Sequence, residues 1–222
     1  MQLERILQKH GFGTRKGCRA LIRQERVSIG GVVCDDPFAE IDVEGLVFNV
    51  DGVDWPYAEF ASVMLHKPAG YECSRKPQHH PSVLELLPVQ LRERDVQPIG
   101  RLDEDTTGLL LITSDGQLNH QLSSAKRKVP KVYLATTKHP LDQAQIDQLL
   151  TGVLLNDEPE PIAAAACEIV CEQLLRLTLT SGKYPQVKRM VAAVGNRVEA
   201  LHRDEVGELS LPDDLKPGGW RW

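Results

Sequence analysis

Apolar positions at the start of the chain follow two periods in turn. Leu3, Ile6 and Leu7 share one helical face, and Cys18, Leu21 and Ile22 repeat that spacing through RKGCRALIRQ, with Thr14 placed to cap the second run. RVSIGGVVCD then reads as strand, Gly-Gly turn and strand, and GLVFNVDG as a further strand. The stretch DGVDWPYAEF carries Asp, Gly and Pro without a clear period and reads as a linker. Beyond it, ASVMLHKP, GLLLIT, KVYLATT, LLRLTLTS and RVEALHR have the character of strands. DGQLNHQLSS reads as a short helix and LDQAQIDQLLTG as a helix stopping at Gly152. PQVKRMVAAVG reads as a helix with Pro185 in its first position and Gly195 at its end. The irregular alternation predicts an α+β protein. A small N-terminal α/β module over residues 1–58, linker included, precedes a larger mixed, mainly antiparallel-sheet domain over 59–222.

Composition narrows the class. No apolar run approaches the roughly 20 residues that span a bilayer, and MQLERILQKHGFG lacks the continuous apolar core of a secretory signal. The five cysteines are odd in number and form no C-x-x-C, which fits reduced thiols in a cytoplasmic protein. Cys167 and Cys171 would need two further soft ligands to hold zinc, and idle or buried thiols are the simpler reading. Neither a metal nor a membrane partner is expected, and nothing suggests an obligate oligomer, so a monomer is expected.

The net charge of −5 speaks against a nucleic-acid partner, but its distribution does not. Residues 1–34 carry Arg5, Lys9, Arg15, Lys16, Arg19, Arg23 and Arg26 against Glu4 and Glu25, whereas residues 35–59 hold acids and no base. Lys126 to Lys138 is basic again. Most charge runs are solvated surface; a dense, one-sided excess on short helices favours contact with phosphates.

Within this setting GRLDEDTTGLLL is out of place, since Asp103, Glu104 and Asp105 would be repelled by a phosphate backbone. The segment has the Gly and Thr content of a loop feeding the strand GLLLIT, and loops on a rigid sheet are common sites of catalytic groups. On chemistry alone, turn capping by solvated acids is the better explanation. Paired carboxylates also suit glycoside hydrolysis, but two acids two residues apart fix no separation.

Resemblance adds what chemistry alone leaves open. LERILQKHGFGTRKGCRALIRQERVSIGGVVC resembles the S4 RNA-binding domain in its helix–helix–hairpin order and basic helix. GRLDEDTTGLLLIT is similar to the catalytic motif of the pseudouridine synthases. HKPAG, KVYLATT and GKYPQVKRMVAAVGNRV match three further elements of that family in its order, so that the resemblance covers nearly the whole chain. It implies an isomerase converting a uridine of 16S rRNA to pseudouridine, with no cofactor. A uridine of 23S rRNA, or a non-catalytic S4-type assembly protein, are the alternatives. A nucleoside hydrolase releasing free uracil is a further one.

By that resemblance Asp103 is the nucleophile, attacking either ribose C1′ or uracil C6. Desolvation favours a neutral carboxyl and a nearby cation favours the ionised one; Lys188 matches the family's paired cation, with Arg189 beside it. Without the motif, Lys188 would read as an ordinary exposed helix lysine and Tyr133 as a core strand residue. Tyr133 matches the tyrosine that packs on the target base, and Arg101 the residue that fills the gap when the nucleotide swings out, a step that costs a few kcal/mol. Lys67 is either structural or a phosphate contact, and Arg15, Lys16, Arg19 and Arg23 are expected to grip RNA. Relatives often carry Arg and His where this chain has Lys183 and Pro185, which puts RNA contacts by those two side chains in doubt.

Overall fold

A computed structural model describes residues 1–181 and 186–222. The chain divides into two compact units, residues 1–61 with 87–96, and residues 62–86 with 97–222.

The first unit opens with α1 (Leu3–Lys9) and α2 (Arg15–Arg23). The Thr14 hydroxyl caps α2 by accepting from the Gly17 N–H at 3.1 Å. Four short strands follow, β1 (Val27–Ile29), β2 (Val32–Cys34), β3 (Val47–Val50) and β4 (Val53–Pro56), in the antiparallel order β2-β1-β3-β4. Leu3, Ile6, Leu7, Cys18, Ile22 and Phe48 are fully buried and form the core.

The expected linker is not one. Asp51 and Gly52 both have positive φ and make a two-residue turn that returns the chain as β4. This is the backbone that an Asp-Gly hairpin requires. Trp55 is buried, its ring edge-on to Phe12 with centroids 5.1 Å apart. A strand of four residues is too short to display a period, which is why the pattern concealed it.

The segment 87–96 also packs into this unit, a discontinuity that the limits 1–58 and 59–222 do not include. It carries α3 (Val89–Arg92) and the buried Leu87, Leu91 and Val96. Arg94 donates to the Ala58 carbonyl at 2.7 Å. Gly11 lies so close to Gln90 that a Cβ would sit 2.1 Å from its carbonyl oxygen.

The second unit is built on one nine-stranded sheet. Its strands are β5 (Ser62–Lys67), β6 (Gln97–Ile99), β7 (Thr107–Thr113), β8 (Lys131–Thr137), β9 (Ala166–Cys171), β10 (Leu174–Leu179), β11 (Val198–Val206), β12 (Leu209–Ser210) and β13 (Trp220–Arg221). The order is β13-β5-β7-β11-β8-β10-β9, with β6 paired to β7 and β12 to β11; every pairing is antiparallel except β7 with β11. Among the described residues three α-helices accompany it, α4 (Gly116–Ser123), α5 (Gln143–Thr151) and α6 (Gln186–Ala193). Pro185, expected to open α6, lies outside the described residues, as do Gly182, Lys183 and Tyr184. No helix among the described residues is long and apolar enough to cross a membrane.

Apolar clusters on the two sides of the sheet path contribute to this unit's core among the described residues. Ile146 and Leu149 of α5 and Val187, Met190 and Val191 of α6 pack on Ala135, Leu175 and Leu177 of the sheet. Leu118 and Leu122 of α4 cover Ile99, Leu109 and Leu111. β7 is buried along nearly its whole length, which explains its continuous run of leucines and isoleucine.

Candidate active site

The segment GRLDEDT is the connection between β6 and β7, which pair antiparallel with Ile99 opposite Leu111. Its backbone is fastened from behind by the HKPAG segment. Gly70 N–H donates to the Glu104 carbonyl at 2.8 Å. The Lys67 ammonium donates to the carbonyls of Pro68, Glu104 and Thr106 at 3.0, 3.0 and 2.7 Å. Lys67 is fully buried, and burial pulls its pKa down against the pull of the nearby acids. The expectation of an RNA contact at Lys67 is therefore corrected: all three ammonium protons are spent on carbonyl groups, and none reaches a phosphate.

Gly108 sets the other side of the loop. It has φ +115°, and a Cβ there would lie 2.1 Å from the Arg203 carbonyl oxygen. Only glycine lets β7 approach β11 this closely. The loop thus enters the sheet beside Arg203 of β11, which pairs with Gly108 on one side and with Tyr133 of β8 on the other.

Strand register then makes a cleft floor. Tyr133 stands opposite Leu177 and Lys131 opposite Leu179, so that one face of β8, β10 and β11 presents Lys131, Tyr133, Leu179, Leu201 and Arg203. Toward α5 this face is apolar and covered; Tyr133 and Leu201 lie at the margin of that cluster and also line the cleft. Asp103, Arg101 and Thr106 line it from the loop, and Gln186, Val187 and Lys188 from the first turn of α6.

Lys188 lies 2.9 Å from an Asp103 carboxylate oxygen and donates to both oxygens of Asp105 at 2.9 and 3.2 Å. Burial opposes its charge, and the hydrogen bonds to Asp103 and Asp105 outweigh that, holding its pKa above the usual range. The Asp103 side chain keeps 14% of its exposure and that of Asp105 62%. Asp103 is thus the sheltered partner and Asp105 a rim group that shares the same cation.

The other expected residues are distributed as follows. Arg101 lines the cleft and is exposed. Arg189 is ion-paired with Asp157 and is not part of the cleft wall. Arg15, Lys16 and Arg23 are exposed on α2 in the first unit. Arg19 is bound to the buried Glu4, whose carboxyl it holds below the usual range, and it stacks over Phe38 at 5.1 Å. Its guanidinium already has a partner within the fold.

Lys131, Thr106 and Arg203 line the cleft without having been expected to take part in the chemistry, Thr106 having been read only as fixing the loop backbone. Lys131 was legible, because two residues before Tyr133 on a strand means the same face. Arg203 was not, because its face depends on the irregular register of β11 with β8.

This constellation, a sheltered carboxylate with a lysine counter-ion beside a tyrosine on a mixed sheet, accords with the family comparison. Residues 61–193 match the model of the RNA pseudouridylate synthase family, and the chain belongs to that family of isomerases. Over its full length it is 38% identical to a ribosomal small subunit pseudouridine synthase A of Yersinia pestis, covering 94% of that protein. It is 34% identical to the protein of the same name from Haemophilus influenzae, again over the whole chain and 95% of the relative. A crystal structure of a pseudouridylate synthase superposes with a TM-score of 0.69 at 33% identity, covering 100% of this chain and 95% of that one.

Proposed function

We propose that this chain isomerises one uridine of small-subunit ribosomal RNA to pseudouridine, acting as a monomer in the cytoplasm, with Asp103 as the nucleophile. An Asp103 oxygen bonds to ribose C1′ or to uracil C6, and the N1–C1′ bond breaks. The base turns, C5 bonds to C1′, the C5 proton is lost, N1 takes up a proton and the aspartate is released. Atoms balance without an oxidant, reductant or cofactor, as an isomerisation requires. Lys188 pairs with the carboxylate and aims it. Tyr133 stacks on the extruded base, an interaction contributing roughly 1–3 kcal/mol toward the cost of unstacking. Arg101 fills the vacated position, and Arg15, Lys16 and Arg23 on α2 grip the phosphate backbone.

The observation that carries this reading is the Lys188 contact to Asp103 at 2.9 Å, in one cleft with Tyr133. The small-subunit substrate is supported by the names of the full-length relatives. The test uses small-subunit RNA tritiated at uracil C5. The wild-type protein is expected to release tritium to water with the RNA chain intact. Asp103→Asn is expected to lower release by at least about 10⁴-fold while RNA still binds. Free uracil would indicate a hydrolase, binding without release an assembly protein, and release only from large-subunit RNA a different target. Full activity in Asp103→Asn would overturn the site.

A further inference from the structure

Besides the exposed Arg101, the cleft contains among the described residues two cations that the carboxylate pairing does not use. Lys131 and Arg203 stand on adjacent strands of its floor, and among the described residues neither has a carboxylate partner. Arg203 keeps only 2% of its exposure and commits Nε to the Leu109 carbonyl at 2.9 Å. The Lys131 pKa is pushed down by burial and by the nearby Arg203 charge. Thr106 lines the same cleft, and its hydroxyl, in a residue 1% exposed, has no hydrogen-bond partner among the described residues. Two like charges and an orphaned hydroxyl at the floor of one cleft are costly to keep unless a ligand supplies acceptors.

We infer that Lys131 and Arg203, with the Thr106 hydroxyl of the same cleft, form an oxyanion site for the uracil carbonyl oxygens. This rests on the pseudouridine synthase reading and deepens it. The base acquires negative charge whichever atom Asp103 attacks. Attack at C1′ sends the N1–C1′ electron pair onto the detached pyrimidine, where O2 and O4 share it. Attack at C6 sends the C5–C6 π electrons toward O4 as an enolate. Donors placed in advance where that charge appears stabilise the transition state more than the bound substrate. The base is the group that reaches this floor. Phosphates, attached through the ribose, remain toward the open side, where Arg203 is not accessible. The Lys131 ammonium also helps keep the detached base in place while it turns, because a point charge on a flexible stem tolerates rotation better than a fixed hydrogen-bond fork.

The test is single-turnover tritium release from C5-labelled ribosomal RNA, alongside RNA affinity and its salt dependence. Lys131→Met and Lys131→Gln are both used, scored per folded molecule, to guard against a packing defect in either. Both are expected to slow release by about 10²–10³-fold, the usual cost of one oxyanion donor, with the dissociation constant within about threefold of wild type. Lys131→Arg is expected to recover most of the rate. Wild-type rates in the two neutral variants would overturn the inference. So would a loss carried by affinity with a salt slope reduced by about 1, the signature of a phosphate contact. If the wild-type protein itself releases no tritium, the functional reading falls and this inference with it. An active wild type with indifferent Lys131 variants removes the inference alone.

Discussion

The small unit and the cleft of the large unit treat buried polar groups in opposite ways. In the small unit His10 is 1% exposed, one ring nitrogen donating to the Ile6 carbonyl at 2.7 Å and the other accepting the Ala58 N–H at 3.1 Å. Glu4, equally buried, is closed off by Arg19. In the cleft, the buried Thr106 hydroxyl has no hydrogen-bond partner among the described residues, and Lys131 and Arg203 have no carboxylate partner among them. A fold that must only hold its shape uses its polar groups internally. A fold that must bind and transform something keeps some in reserve, and the location of that reserve identifies the working surface. The two lysines flanking the Asp103 loop repeat the contrast at short range: Lys67 is consumed by backbone carbonyls, Lys188 faces carboxylates.

Removing Lys188 should break the contrast most visibly. Lys188→Met is expected to lower single-turnover tritium release by about 10³-fold while the melting temperature moves little, since Asp105 is exposed and Asp103 lines a cleft in which water can take the place of the ammonium. An equal loss of stability and rate would mean that Lys188 is structural. Lys67→Met should behave in the opposite way. It strands three carbonyl oxygens in a buried setting, at a cost of about 2–4 kcal/mol in a urea titration. Activity falls secondarily as the loop loses its anchor. An unchanged urea midpoint would contradict the buried geometry.

His10 supplies a subtler test in the small unit. Burial lowers its pKa from the ordinary 6.5 to about 4, so between those values the unfolded chain binds more protons than the folded one. Its contribution is present above pH 6.5 and is lost as pH falls toward 4, by at most about 3 kcal/mol. Carboxylates give a slope of the same sign, so the comparison is with His10→Gln, whose amide can donate and accept without titrating. Stability measured by denaturant over pH 4 to 6.5 should be flatter in the variant, and parallel curves would exclude His10 as the source. The smallest effects are expected on α2. Neutralising Arg15, Lys16 or Arg23 singly should weaken RNA binding a few-fold and reduce the salt slope by about 1 each, without altering the rate at saturation. A change in that rate instead would place these side chains near the chemistry.

Much of the fold was readable because its elements are long enough to show a period. Leu174–Leu179 alternates, Gln143–Thr151 carries the capping Asp142 and ends at Gly152, and Leu109–Ile112 is continuous because β7 is covered on both faces. Elements that failed to register are short or take their conformation from a partner. Val53–Pro56 needed its turn to be recognised, and Trp220–Arg221 is a strand only because β5 lies beside it. The segment around α3 shows no sequence mark of the unit it joins, since that depends on which core its leucines enter.

By itself the amino-acid order determined the local elements, the one-sided charge of the first helices and the carboxylate loop that the motif marks. It also put Lys131 and Tyr133 on one face of a strand, because the period of an extended chain is a local property. Tertiary structure alone decided which lysine serves which purpose. Lys67 and Lys188 are chemically identical and lie far apart in sequence. Only the close approach of β7 to β11, allowed by Gly108, and the placement of α6 put one among carbonyls and the other against Asp103. Contacts between residues distant in the chain are set by packing, and side-chain chemistry carries no record of them until the chain has folded.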